Sequence, residues 1–241
     1  MNTGSAIEVR GVEKRYDGRV VLRGIDLAIA PGERVALVGP NGSGKTTLMR
    51  AILGFIGCTG TVRVHGADPL RDHATVMTHV AYMPQRAPAL PAPVAELVAA
   101  WSRMRGVPAE VLRRMAADFG LDLDAVTTVR FPALSGGMQQ KLLAAMALAS
   151  PASILLFDEP TANLDPAARD AFLARLAART PAPTVVLSSH RLEELRDLVD
   201  RVVVLANGAV SFDDRLDAFL ARADLAAAVG LISQAIPFPR R

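Results

Sequence analysis

Apolar and polar positions alternate over Ile7-Glu8-Val9-Arg10-Gly11-Val12, the period of a strand with one face buried, and a second such strand lies within Val20–Ile29. Pro31-Gly32 turns the chain into a short apolar run at 34–38. Thr61-Val62-Arg63-Val64 and His79-Val80-Ala81-Tyr82-Met83 predict two more strands. Pro84, Pro88, Pro91 and Pro93 then fall within ten residues, which forbids regular structure and marks a boundary. From Val94 to about Ser150 the apolar spacing changes to the helical period, with amphipathic stretches at 94–101 and 108–115. Strand runs return at Ile154-Leu155-Leu156-Phe157, Thr184-Val185-Val186-Leu187 and Arg201-Val202-Val203-Val204-Leu205. Short, continuously apolar strands separated by helices predict an α/β fold whose mostly parallel sheet is covered on both faces. Residues 213–229 predict a small terminal helical piece, and 237–241 a loose tail.

Two places in this pattern carry more than packing. Between the run at 35–38 and the helical stretch from Thr47 lies Gly39-Pro40-Asn41-Gly42-Ser43-Gly44-Lys45-Thr46. A strand, a glycine-rich turn and a helix make a phosphate cradle, because glycines let backbone N–H groups turn inward and the helix N-terminus adds positive potential. Asn41, Gly42, Ser43, Gly44, Lys45, Thr46 and Thr47 are the expected nucleotide contacts, with Lys45 on the β/γ-phosphates and the Thr46 hydroxyl on Mg²⁺. The second place is Ile154-Leu155-Leu156-Phe157-Asp158-Glu159. A buried strand tolerates charge only at its carboxyl end, where a parallel sheet opens onto its ligand. Asp158 is placed for the Mg²⁺ shell and Glu159 to polarise an attacking water. Taken alone, the pair would equally suit an acidic helix cap. Leu134-Ser135-Gly136-Gly137 precedes an apolar helix and offers a second anion site, or simply a capped helix start.

Composition narrows the class without changing it. The 241 residues suit one large α/β domain or two small ones, and 51% hydrophobic with 21% charged residues is a globular profile. The net charge of +3 is mild, and no basic run suggests a nucleic-acid partner. A single cysteine, Cys58, allows no internal disulfide and reads as a small buried hydrophobe. The N-terminus has no basic region followed by an apolar core, and the apolar stretch 142–157 is interrupted by Ser150-Pro151 and ends at Asp158-Glu159, so no membrane span is expected. His65, His73 and His79 form no metal-binding spacing.

With these motifs in place, the chain resembles the ATP-binding-cassette (ABC) ATPases over about residues 6–212. Leu134-Ser135-Gly136-Gly137 resembles the family signature. Tyr16 resembles the aromatic residue that stacks on adenine, and Gln85 in Tyr82-Met83-Pro84-Gln85 the glutamine that touches Mg²⁺. Thr161-Ala162-Asn163-Leu164-Asp165 resembles the loop that crosses the dimer interface, and Ser188-Ser189-His190 the switch whose histidine grips the γ-phosphate. Met138 stands where the family most often has glutamine, and Asn163 where alanine is common.

The resemblance implies a P-loop ATPase core with an antiparallel β part, built as one nucleotide-binding domain over 1–241. Its catalytic core would cover about 6–85 and 151–212, its helical subdomain 86–150 and its tail 213–241. It also implies ATP and Mg²⁺, with Glu159 and His190 as catalytic residues. Ser135, Gly136 and Gly137 would cover the nucleotide of a second copy, or of a homologous cassette, in a head-to-tail dimer. The remaining implied partners are integral membrane permease subunits, which would hold the chain peripherally at the cytoplasmic face of the membrane. The segment 85–115, with Ala95, Val98 and Trp101, would receive the permease, although Trp101 suits a core role equally. Gly-Gly-Met-Gln-Gln-Lys is more similar to export-type cassettes. A soluble ATPase acting in assembly, such as of iron–sulfur clusters, and a metal- or copper-linked or importer cassette are the alternatives.

Overall fold

The computed structural model describes residues 4–189, 196 and 198–222. The chain forms two compact units, one of Met1–Val76 with Thr184–Arg241 and one of Met77–Pro183.

The first unit holds two β layers. Strands β1 (Ile7–Tyr16), β2 (Arg19–Ile29) and β4 (Thr59–Val64) form an antiparallel sheet in the order β2-β1-β4. Its hairpin turns at Asp17-Gly18, both with positive φ (47° and 79°), the conformation whose twist matches the flanking strands. Strand β3 (Arg34–Val38) lies between β7 (Thr184–Ser188) and β8 (Arg201–Ala206) with parallel pairing, and β9 (Ala209–Arg215) closes that edge antiparallel to β8. Residues 35–38, 184–188 and 202–205 are buried without alternation, as expected of strands covered on both faces. Helix α1 (Lys45–Ile52) follows β3 and buries Leu48, Met49, Ala51 and Ile52. Arg201 fastens several strands at once: it donates to both carboxylate oxygens of Asp213 on β9 (2.5 and 2.6 Å), to Glu33 (3.1 Å) and to the carbonyl of Ala28 (2.9 Å). The Asp213 carboxylate is the main cause that raises the pKa of this guanidinium.

The second unit contains the parallel pair β5 (Val80–Met83) and β6 (Ile154–Asp158) with helices α3 (Val94–Arg105), α4 (Ala109–Asp118), α5 (Gly136–Ala149) and α6 (Pro166–Ala177). Phe172 of α6 meets Phe157 of β6 edge-on at 5.2 Å and Phe119, just past α4, at 6.4 Å. All three rings are buried, and each contributes roughly 1.5–3 kcal/mol of hydrophobic stabilisation. Helix α5 reads apolar nearly all round because it packs against α4, α6 and β5. Beyond its C-terminus, the Arg179 guanidinium donates to the carbonyls of Leu148 (3.1 Å), Ser150 (2.6 Å) and Ala152 (2.6 Å), which satisfies acceptors that a helix end leaves open.

Three elements differ from the sequence expectation. His79 ends helix α2 (His73–His79) and does not start β5. Residues 213–215 complete strand β9, held by the pairing of Asp213 with Val203, before helix α7 (Leu216–Leu220) begins. The rest of the predicted terminal helix, from 223, lies outside the described residues. Val98 and Trp101 are buried, at 6% and 8% exposure. They belong to the core of the helical region, so only Ala95 of the two residues named with Trp101 is on the surface. No helix among the described residues is long and apolar enough to cross a membrane.

Candidate functional site

In the first unit, β3 delivers the chain into the loop 39–44 and α1 takes it away. The loop's course requires its glycines. Gly39 (φ 151°) faces the Leu205 carbonyl so closely that a Cβ would lie 2.2 Å from that oxygen, and one on Gly44 (φ 109°) would lie 2.8 Å from Leu22 Cδ2. Gly42 (φ 80°) faces open space, and Asn41 beside it is exposed. Lys45 is 7% exposed, and its ammonium donates to the carbonyls of Gly39 (2.6 Å) and Pro40 (3.3 Å). Curled over its own loop, the cation is buried and concentrated at one spot. Ser43 is buried as well, and its Oγ has no hydrogen-bond partner among the described residues. A buried hydroxyl without a partner costs about 1–3 kcal/mol, so this loop is built for a ligand with acceptor oxygens. Thr46 and Thr47 follow, half-buried, in the first turn of α1.

Tyr16 ends β1 and is 41% exposed, large for an aromatic residue. Lys14 Nζ sits 4.9 Å from its ring centroid and is itself anchored by the Gly57 carbonyl at 2.7 Å. The ring is therefore held by a fixed cation while keeping accessible surface for stacking.

In the second unit, the register of β5 and β6 aligns Met83 with Phe157, so Gln85 and Glu159, each two positions beyond that aligned pair, emerge level. Gln85 Nε2 donates to Glu159 Oε2 at 2.8 Å. Asp158 is the last residue of β6 and is 2% exposed. Glu159 adopts φ 51°, a left-handed conformation that costs a non-glycine residue on the order of 1–3 kcal/mol and is found mostly at functional sites. In this conformation its carboxylate accepts the hydrogen bond from Gln85.

The same unit carries the glycine signature. Leu134 is buried and anchors the turn. Ser135 caps α5, its Oγ accepting from the Met138 amide (3.2 Å), and Gln139 Nε2 braces the turn from behind on the carbonyls of Phe131 (3.1 Å) and Leu134 (3.2 Å). Ser135 and Gly136 are exposed and Gly137 half-buried, so this turn presents itself outward. The segment after Glu159 folds tightly through hydrogen bonds from Ala162 to Glu159 (3.3 Å) and from Leu164 to Thr161 (3.2 Å), leaving Ala162 and Asn163 exposed.

The expected site residues thus fall into groups, each compact within its own unit. Asn41, Gly42, Ser43, Gly44, Lys45, Thr46 and Thr47 form one cradle, Gln85 hydrogen-bonds Glu159 next to Asp158, and Ser135, Gly136 and Gly137 form one exposed turn. Ser188 and Ser189 are buried at the end of β7, while His190 lies outside the described residues. Sequence reasoning passed over Lys14 and Lys141, whose importance comes from contacts at a distance along the chain: Gly57 and Tyr16 for the first, Asp165 for the second.

Residues 22–162, more than half of the chain, match the family model described as ABC transporter. The chain is 39% identical over 229 residues to the phosphonates import ATP-binding protein PhnC of Anaeromyxobacter dehalogenans, covering 87% of this chain and 45% of that protein. It is 35% identical over 210 residues to the Nod factor export ATP-binding protein I of Paraburkholderia xenovorans, covering 85% of this chain and 69% of that one. The chain therefore spans less than half of the first relative's length and about two thirds of the second's. A solved structure, described as the ATP-binding subunit of an ABC transporter, superposes with a TM-score of 0.80 at 25% identity, covering 94% of this chain and 95% of its own. The fold is that of ABC ATPase domains, mixed α/β with parallel strands and an antiparallel β part, and the chain belongs to the ABC transporter family as an ATP-binding domain.

Proposed function

We propose that this chain binds and hydrolyses ATP and that the energy drives a separate membrane permease, in the direction of export. The cradle of residues 39–47 carries the reading. Its buried ammonium and the Ser43 hydroxyl, which has no partner among the described residues, are matched to phosphate oxygens, which would take over the contacts that Lys45 now makes to Gly39 and Pro40. Tyr16 supplies a stacking face for the base. The hydroxyl of Thr46, the amide oxygen of Gln85 and the carboxylate of Asp158 are hard oxygen donors suited to Mg²⁺, which when bound neutralises charge on the β- and γ-phosphates.

Glu159 is the residue that acts on water. Its carboxylate accepts a hydrogen bond from the attacking water and aligns a lone pair toward the γ-phosphorus, while Lys45 offsets the charge of a loose transition state. His190 is assigned to the γ-phosphate by resemblance alone. Because Ser135 and Gly136 are exposed, with Gly137 half-buried beside them, we assign the three to the nucleotide of a second copy or a homologous cassette, so that binding ATP and forming the dimer are one linked equilibrium. Export is supported by the Met138-Gln139-Gln140-Lys141 variant after the signature. Relatives named for import and for export both align, so direction stands on that variant only. The permease would meet the exposed surface around Ala95, which places the chain peripherally on the cytoplasmic face of the membrane.

The deciding experiment is Glu159→Gln. Binding of Mg²⁺·ATP should persist while turnover falls on the order of 10²–10⁴-fold, the contribution of a positioned base. Turnover within about threefold of the parent would remove Glu159, and with it this account of hydrolysis.

A further inference from the structure

Lys141 lies one turn into α5, behind the exposed signature turn, and its side chain is 16% exposed. Its ammonium meets Asp165 Oδ2 at 2.6 Å, while the other oxygen of that carboxylate accepts from the Ala168 amide at 2.9 Å and caps α6. One carboxylate therefore does two tasks: Oδ1 ends the loop 159–165 by starting a helix, and Oδ2 ties that loop to α5. The two segments run close together at a second point, since a Cβ on Gly137 would lie 3.5 Å from the Asn163 carbonyl. Lys141 is flanked on its other side by Gly120, where a Cβ would stand 3.6 Å from Nζ. It is thus confined between the end of α4 and the loop, a restriction a solvent-facing lysine does not have.

We propose that Lys141 is a positioning residue that fixes the loop 159–165 to the first turns of α5, so that Ser135–Gly137 and Ala162–Asn163 meet a second copy as one rigid surface. This rests on the ATP-driven dimer of the preceding section. The loop begins at the strained Glu159, held at one end by Gln85 and at the other by Asp165. Releasing Asp165 frees the far end and lets Glu159 relax toward a conformation without the left-handed φ. A misplacement of about 1 Å at a reacting group costs up to ~10²-fold in rate, so loss of the link should appear in turnover and not in nucleotide affinity.

The test uses the full chain with Lys141→Met, Lys141→Arg, Asp165→Asn and the double variant Lys141→Met/Asp165→Asn. Asparagine keeps the helix cap but loses the charge, which separates the two tasks of Asp165. We expect Lys141→Met and Asp165→Asn each to lower kcat about tenfold with the KM for ATP and the melting temperature near the parent's. The double variant should be no worse than either single one, and Lys141→Arg should restore most of the rate. Amides of 161–165 should exchange hydrogen faster in Lys141→Met and Asp165→Asn but not in Lys141→Arg. Parental kcat in Lys141→Met, or multiplicative losses in the double variant, would overturn the proposal while leaving the ATPase reading intact. A parent without ATP turnover would overturn the ATPase reading. The exchange data then judge the link alone: unchanged rates overturn it, and faster rates in the two charge-removing variants uphold it.

Discussion

The phosphate cradle of the first unit and the signature turn of the second are both glycine-rich entries to a helix, yet they are built in opposite ways. The cradle is buried: Ser43, Gly44 and Lys45 are enclosed, its glycines fit against Leu205 and Leu22, and its cation is held by its own loop. The signature turn is exposed at Ser135 and Gly136 and is stiffened from behind by Gln139 and the Ser135 cap. An enclosed cradle completes its ligand shell from local backbone. An outward-facing turn stiffened from behind is suited to a partner. Under the proposed function, the difference separates the half of the chemistry that this chain would perform alone from the half that would need a second copy.

Substitutions should break this contrast in different places. The largest effect is the loss of turnover in Glu159→Gln, with ATP binding kept. Lys45→Ala attacks the enclosed half: ATP affinity measured by calorimetry should weaken about tenfold to a hundredfold, since a charge-assisted hydrogen bond is worth ~1.5–3 kcal/mol. An unchanged dissociation constant would argue against the cradle. Phe172→Ala attacks neither half directly, and it should cost about 3–5 kcal/mol in denaturant unfolding by opening a cavity between Phe157 and Phe119. Ala95→Glu, an exposed change on α3, should leave nucleotide binding and stability alone and lower only copurification with a permease. Val98→Glu does not serve that purpose, because Val98 is core and a buried carboxylate would destabilise the helical region.

The smallest effect is a pH dependence at Asp165. The hydrogen bond from Lys141, followed by that from the Ala168 amide, holds its carboxyl below the usual carboxylate range. A depressed folded value means the pair's stabilisation is fully present above the ordinary value of about 4 and is lost as pH falls through the lower folded value. Asp165→Asn should therefore flatten the stability profile only on the acid side of that range, read as melting temperature against pH.

Much of this was legible in the sequence because it is local. The strand–loop–helix order around Gly39–Thr46, the apolar run ending in Asp158-Glu159 and the Ser135 cap are all set within about ten residues. What escaped depends on partners far along the chain. Strand β9 exists because Asp213 pairs with Val203 and Arg201, and nothing in residues 209–215 alone announces it. Val98 and Trp101 are buried, and Val98 shares a cavity with Ala109, Arg113, Leu123 and Thr127 from farther along the chain; hydrophobic periodicity on α3 alone cannot distinguish such burial from a docking face. Lys141 is likewise an unremarked cation until Asp165, twenty-four residues on, is seen beside it.

The central claim is that the outward-facing turn belongs to another copy's nucleotide, and the mass of the Glu159→Gln protein with and without ATP tests it most directly. By light scattering after size exclusion, the 25.5 kDa chain should run as a monomer without nucleotide and at twice that mass with Mg²⁺·ATP. Adding Gly136→Glu in the same background should return it to the monomer with ATP still bound. A Glu159→Gln protein that binds ATP and stays monomeric, or a dimer indifferent to Gly136→Glu, would contradict the account.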